Sequence, residues 1–555
     1  GGRGYGGRGQ GAPLPRPGTD EDARFQQLED DPRYFEGAEL GKAQRAAMGI
    51  QGLAGRNTAS FDPGSTLVRP AMRVFYGPPQ RRFGGTLKPD DVVVVPEFFC
   101  KEGALDTYRG LLEELKPLAS GGEVDVHELP VCQQVLAKLC RYFSIEEEDR
   151  AVQLCWYRAG QEEPLVQELG RFRRRLPKAA NCMATLCFGA TRELAFRRSG
   201  TEESLFFPQT NGTLSFFGRD VCRRWQQGMN THPQEERSQL DHVSVTVAGR
   251  SAALAEEAAL APAPSDERRG EEALDGRCGA PCAELARPSM RVITAPPRPG
   301  YGHVLKHDDV VVVPEFFCRE DDWATYYQLL REMRESQASG QSRAEWISWH
   351  EGAHLLSQNP TGSRTYQRVV DRMCEYFSIA PGNRGTRFNW YRDGSDWKPF
   401  HHDSAAFNEQ RAKTQNTTIG ISFGESRELA FRHAKTGELI YFPQRNGMLF
   451  YFGRDANIVW QHGINALPAA EQTGKGRISI ILWGLCTKVM DEPGSPPMLT
   501  DESRGKGKGK GKGKGGFSMH ADSRASQACR DFLAGRCTYG ARCRFSHEAA
   551  GAGRQ

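Results

Sequence analysis

The chain has 555 residues, long enough for two or three domains, and with 38% apolar residues, 26% charged residues and 61 glycines it reads as globular modules joined by disordered linkers. Its 15 cysteines lie singly through the body and cluster only near the C-terminus, which excludes a disulfide scaffold and points to a reducing, intracellular compartment, nucleus or cytoplasm. No apolar run approaches the ~20 residues a membrane span needs, and a net charge of +4 is too small for this length to argue for any partner on its own.

Residues 1–69 are expected to be disordered. They open with Gly1 to Gly11, an Arg/Gly-rich stretch with too little apolar surface to fold. Such arginines contact phosphates and stack on bases; a plain flexible tail is the alternative. From Pro70 the chain repeats itself. Pro70 to Val74 returns as Pro288 to Val292, and Val92 to Cys100 returns residue for residue as Val310 to Cys318. Arg192 to Arg197 matches Arg427 to Arg432, and Phe217 to Asp220 matches Phe452 to Asp455. A period above two hundred residues means a duplicated domain rather than a solenoid. The copies span 70–250 and 288–487, with a linker at 251–287, where Cys278 and Cys282 have no second pair to complete a zinc site.

Within the second copy, apolar residues at helical spacing predict helices near Asp321 to Ser336 and Gly362 to Phe377. The remainder alternates as short strands between Gly, Asn and Pro turns: Thr417 to Phe423, Leu429 to His433, Leu439 to Pro443, Met448 to Phe452 and Ile478 to Leu482. That pattern predicts an α+β, mainly β chain with β-sandwich or jelly-roll domains.

The chemistry concentrates between Phe388 and Gly484. His401 and Asp403 stand two residues apart, so one strand would present both on one face. A distant His462 completes the spacing of a two-His, one-carboxylate triad, which holds non-haem Fe(II) and leaves other positions open. Arg477 follows, able to take a carboxylate as a bidentate pair. With Asn389-Trp390-Tyr391, His401-His402-Asp403, His462-Gly463-Ile464 and Arg477-Ile478-Ser479 in order, the stretch resembles the AlkB family of Fe(II)/2-oxoglutarate dioxygenases. The resemblance implies two double-stranded β-helix domains with supporting helices. It implies iron on His401, Asp403 and His462, and 2-oxoglutarate held by Arg477, Asn389 and Tyr391. Trp483 stands where the family usually has a second arginine, and Ala405 where its repair enzymes carry a base-contacting acid.

The first copy serves as an internal control. From Asn181 onward the copies align at a constant offset of 235 residues, which sets Val166 under His401, Glu168 under Asp403, Gln227 under His462 and His242 under Arg477. Valine cannot ligate a metal, so the first copy is expected to be catalytically dead.

Residues 488–523 form a basic linker ending in alternating Lys and Gly from Lys506 to Lys514, an unstructured polycation. In 524–550, Cys529, Cys537, Cys543 and His547 have the spacing C-x7-C-x5-C-x3-H, a closed Cys3His site whose zinc would supply the folding free energy. This segment resembles the CCCH zinc fingers that bind single-stranded RNA. Tyr539 and Phe545 match the rings that stack on bases; a protein-binding finger is the alternative. Together these features predict oxidative demethylation or hydroxylation of nucleic acid, RNA favoured, with the finger delivering the substrate. The competing readings are a non-catalytic RNA-binding adaptor and a protein hydroxylase recruited to ribonucleoprotein.

Overall fold

The computed structural model describes residues 70–254 and 287–499, apart from short internal stretches. The Arg/Gly-rich start, most of the inter-copy linker, the Lys-Gly tract and the C-terminal finger lie outside the described residues. Among those described, no helix is long and apolar enough to cross a membrane.

Valine runs set the centre of each copy. Asp91–Val95 and Asp309–Val313 are buried throughout, as β-branched strands covered on both faces should be. Each lies parallel to the strand that opens its copy, Met72–Tyr76 or Met290–Thr294. Helices Ala324–Ala338 and Arg364–Phe377 occupy the two stretches with helical spacing in the second copy. Ser363 caps the latter by accepting the Tyr366 N–H at 3.1 Å. Glu332 joins the two helices, accepting the Ser363 hydroxyl at 2.6 Å and the Thr365 N–H at 2.9 Å. In the first copy Glu114 makes the same junction with the N–H of Val131 at 2.6 Å.

The two copies share their sheets. One eleven-stranded sheet starts in the second copy with Lys398–His401, Trp460–Ile464, Arg427–His433 and Leu439–Gln444. It then crosses into the first copy through Met72–Tyr76 and Asp91–Val95. The other eleven-stranded sheet carries Gly385–Tyr391, Arg477–Gly484, Thr417–Gly424, Leu449–Gly453, Asp309–Val313 and Met290–Thr294 of the second copy. It crosses into Ser204–Gln209, Arg192–Arg198 and Trp225–Asn230 of the first. Both crossings are parallel and equivalent: Met72 sits beside Ile440, and Met290 beside Leu205.

Charged pairs repeat the same pseudo-symmetry. Arg73 lies 3.4 Å from Asp91 and 3.5 Å from Glu428, and its counterpart Arg291 lies 2.6 Å from Asp309 and 3.4 Å from Glu193. Arg198 pairs with Glu438, while in the mirrored place His433 faces Glu203 at 3.7 Å. Burial, helped by Lys435, pushes the His433 pKa down to about 4, so the imidazole is neutral at pH 7, and burial also raises that of Glu203.

Between the two sheets lies one apolar cluster built from both copies. It includes Met72, Val74, Val92 and Val94 of the first and Phe431, Ile440, Phe450, Phe452 and Trp460 of the second. Each copy thus has jelly-roll architecture: two facing sheets, with helices packed on the outer side of one of them.

Two features were not anticipated. The second copy inserts a hairpin, Ala344–Trp349 with Gly352–Ser357, which extends the sheet beside Gly385–Tyr391. And Val166 does not occupy the place of His401. It lies on Val166–Gln167, which pairs with Ala151–Tyr157, whereas Lys398–His401 pairs with Trp460–Ile464. A constant offset in sequence did not carry over to pairing there.

The shared core generates a prediction. A fragment covering 288–487 alone would lose the first copy's strands against Leu439–Gln444 and Met290–Thr294, baring two sheet edges. It would also expose several side chains worth about 1.5–3 kcal/mol each when buried. This fragment should aggregate or melt non-cooperatively, whereas 70–487 should elute as a monomer with one cooperative transition. A folded, monodisperse 288–487 would contradict the shared-core account.

Candidate metal centre

His401 ends its strand and His462 is central in its own, and the two pair directly across antiparallel strands. Both imidazoles therefore project from the same face, with ring centroids 4.3 Å apart. Asp403 follows just beyond the strand. Asn457, on the short helix Arg454–Val459, holds that departing backbone. Its Oδ1 accepts the Asp403 N–H at 2.9 Å and its Nδ2 donates to the Asp403 carbonyl at 3.2 Å.

The carboxylate lies between the two rings. His401 Nε2 is 3.9 Å from Asp403 Oδ1, and His462 Nε2 is 3.8 Å from Oδ2. Those separations are too long for hydrogen bonds. All three ligand atoms fall within 4.8 Å of one another, the one such His/Cys/Asp/Glu group among the described residues. Donors sharing a metal at ~2.0–2.2 Å stand about 3 Å apart, so a closure of about 1 Å completes the set. The donor set fits a divalent transition metal.

Its protonation fits as well. Burial by itself would raise the Asp403 pKa, but the imidazoles of His462 and His401, the Lys398 ammonium and the Trp483 N–H outweigh it and hold the carboxyl below its ordinary range. Burial pushes His462 down to about 4 against the pull of Asp403. A carboxylate beside a neutral imidazole at pH 7 is the form that binds metal without first losing a proton. His402 turns the other way, its Nδ1 2.7 Å from the Asn457 carbonyl oxygen.

Two donors hold Asp403 from behind. Thr418 Oγ1 donates to Oδ2 at 2.8 Å and Trp483 Nε1 donates to the same oxygen at 2.9 Å. Trp483 and Thr418 are direct partners across their strands. Trp483 is therefore a positioning residue for the carboxylate. Ala405 is buried in the single turn Ser404–Ala406 that follows.

Arg477 lies deeper. It pairs with Tyr391 on one side and Gly424 on the other, and is almost fully buried. Its Nε and Nη2 donate to Ser422 Oγ at 3.2 and 2.6 Å, its guanidinium carbon stands 5.2 Å from the Tyr391 ring centre, and buried Nη1 has no hydrogen-bond partner among the described residues. Burial pushes its pKa down to about 10, which leaves it charged at pH 7. A buried guanidinium with an unused N–H is a site prepared for an anion. Asn389 and Tyr391 face the same side of Gly385–Tyr391, opposite Ser479 and Arg477. Thr418, behind the metal ligand, and Ser422, behind the arginine, are four residues apart on one strand, about 13 Å.

Among the described residues, two places of this apparatus are filled differently in the first copy. Gln227 pairs with Phe196 just as His462 pairs with Phe431, so glutamine occupies the second histidine's place. His242, in the position of Arg477, points its Nδ1 at the Ala190 carbonyl, 2.7 Å away. Sequence reasoning missed Asn457 and Thr418. Its available signal was the copy comparison, since Cys222 and Met183 stand at the matching offsets. The zinc ligands Cys529, Cys537, Cys543 and His547, and the rings Tyr539 and Phe545, lie outside the described residues.

The fold and site define a mainly β jelly-roll protein with a His-Asp-His centre. Residues 529–547 match a zinc finger domain family of the CCCH type. Among solved structures, the chain is similar to the crystal structure of a Pseudomonas putida prolyl-4-hydroxylase, at 14% identity over 32% of this chain and 91% of that one, with a TM-score of 0.24. No curated protein matches the chain.

His401→Ala and Asp403→Ala should each abolish binding of one equivalent of Mn(II), followed by electron paramagnetic resonance. His402→Ala should retain it; loss with His402→Ala and retention with His401→Ala would reverse the ligand assignment. Trp483→Phe keeps the ring but removes the N–H, and should weaken Mn(II) binding by about 10–100-fold, the usual range for such supporting contacts. Unchanged affinity would mean that Thr418 suffices to hold Asp403.

Proposed function

We propose that this chain is an Fe(II)/2-oxoglutarate-dependent dioxygenase of the AlkB type that oxidises nucleic acid, with single-stranded RNA as the favoured substrate. The observation that carries the reading is two sites joined by one strand pair, Thr417–Gly424 with Arg477–Gly484: at one end its Thr418 and Trp483 support a His-Asp-His centre that faces it from the other sheet, and at the other end stands a buried arginine with an unused N–H. His401, Asp403 and His462 would hold the iron. Arg477 would take the far carboxylate of 2-oxoglutarate, with Tyr391 and Asn389 beside it. Bound together, the metal and 2-oxoglutarate would let O2 act as the oxidant: 2-oxoglutarate leaves as succinate and CO2, one oxygen atom ends in succinate and the other in a substrate C–H bond, and an N-methyl base hydroxylated in this way releases formaldehyde.

The chain's own residues position and shield that chemistry. Thr418 and Trp483 fix the carboxylate orientation, and Phe452, 4.8 Å from the His462 ring, closes the apolar side. The finger supplies delivery: Tyr539 and Phe545 would stack on unpaired bases, each worth ~1–3 kcal/mol, and the Lys-Gly tract would add salt-sensitive phosphate contacts. Single-stranded RNA also spares most of the cost of extruding a base from a duplex.

The test is succinate formation from 2-oxoglutarate by the full chain, with and without cellular RNA, alongside mass spectrometry of the RNA's modified nucleosides. RNA-stimulated succinate and loss of a methylated nucleoside are expected. Arg477→Ala should raise the 2-oxoglutarate KM by roughly one to two orders of magnitude, since a charge-assisted pair is worth ~1.5–3 kcal/mol, with Mn(II) binding unchanged. RNA binding without succinate would favour the adaptor reading, and stimulation only by ribonucleoprotein peptides the protein-hydroxylase reading.

A further inference from the structure

Arg387 precedes Asn389 and Tyr391 at two-residue spacing on Gly385–Tyr391, so all three project toward the same face. Its guanidinium carbon stacks 5.2 Å over the ring of Trp483, the residue that donates to Asp403. It is half-buried, and among the described residues no carboxylate lies within ion-pair distance of it. Arg291 and Arg73 are differently placed: Arg291 has Asp309 at 2.6 Å, and Arg73 has Asp91 at 3.4 Å. The acid that acts on Arg387 is Asp403, the metal ligand itself.

Lys398 reaches the same region by an irregularity of its strand. It pairs with Ile464, and His401 with His462, so three steps on one strand match two on the other. The extra residue is a β-bulge, and it turns Lys398 to the face that carries His401 and His462. There it lies within electrostatic reach of Asp403, Arg387 and Arg477.

The position along the strand separates these groups from the cosubstrate arginine. Arg477 pairs with Tyr391 at one end of the strand pair, and Trp483 pairs with Gly385 at the other. Arg387 is four residues from Tyr391, about 13 Å of strand. It therefore stands at the metal end, where the reacting part of the primary substrate must come. A planar guanidinium held on an indole presents its N–H fork to an anion in fixed orientation.

We propose that Arg387, with Lys398 beside it, forms a phosphate subsite that seats the backbone of a nucleic-acid strand next to the metal. The proposal rests on the nucleic-acid reading above and narrows it: the strand is gripped within the catalytic domain, not by the finger and tail alone. Arg387 takes one phosphodiester bidentately, and Lys398 contributes the second positive charge.

The test uses the full chain loaded with Mn(II), titrated with the dinucleoside monophosphate ApA and with its uncharged methylphosphonate. Wild type should bind ApA at least tenfold more tightly than the methylphosphonate. Arg387→Gln with Lys398→Met should bring that ratio close to one. In Arg387→Gln alone, Mn(II) and 2-oxoglutarate affinities should stay within about twofold of wild type. A wild-type ratio near one, or an unchanged ratio in the double variant, overturns the subsite. So does an Arg387→Gln protein that loses 2-oxoglutarate or Mn(II) instead, because that arginine would then serve cosubstrate or fold. A tenfold dependence for a diglutamate peptide in place of ApA would assign the subsite to an acidic protein and overturn the nucleic-acid form. RNA-stimulated succinate formation, measured separately on wild type, reports on the enzymatic reading independently of these ratios.

Discussion

A single buried carboxylate sets the terms for this molecule. Asp403 lies in a space where an unpartnered charge is costly. Two imidazole nitrogens face it at 3.8 and 3.9 Å, close enough to share an ion and too far to donate a hydrogen bond. Its other obligations are met from behind, by Thr418, Trp483 and Asn457. Those contacts come from three separate elements, so the carboxylate's orientation is a product of the whole second copy. The same elements lead outward to the rest of the site: Thr418 shares a strand with Ser422, which anchors Arg477, and the Trp483 ring supports Arg387.

The first copy keeps the architecture, with Gln227 in the place of His462 and His242 in the place of Arg477. Its strands complete both sheets and half of the central apolar cluster, and its Glu193 completes the ion pairs of Arg291. Duplication explains why the arrangement is closed: each copy's opening strand pairs with the other copy, as in a two-fold dimer joined by a linker. Gln227 stands where the second copy has His462, while the valine runs are identical in the two copies. The departures from symmetry are informative in their own right. His433 stands where the mirrored ion pair has Arg198, and the hairpin Ala344–Ser357 is inserted on the copy that carries the triad.

Much of this was legible in the residues. The helix Arg364–Phe377 announces itself by apolar period because one face of it is buried, and the strand Thr417–Gly424 by the alternation of Ile419, Ile421 and Phe423 with Thr418, Gly420 and Ser422. The duplication was visible in Val92 to Cys100 and Val310 to Cys318, and the triad in four short motifs in order. The pairing between copies was not, since parallel contacts such as Met72 beside Ile440 join residues hundreds of positions apart and leave no local pattern. Nor was the role of Trp483. In sequence it is a missing arginine; only the register opposite Thr418 shows an indole N–H reaching the metal ligand. The bulge that turns Lys398 inward is likewise a property of two strands together. The metal face of the site was readable from side-chain chemistry, while its supports needed tertiary geometry.

The most direct test of the central claim is anaerobic addition of Fe(II) and then 2-oxoglutarate to the full chain, followed by visible absorption. A 2-oxo acid chelated to ferrous iron gives a charge-transfer band that neither component has alone. The account predicts such a band, saturating at one iron per chain and absent from the Asp403→Ala protein. No band in the wild-type protein, or an equal band in Asp403→Ala, would contradict it.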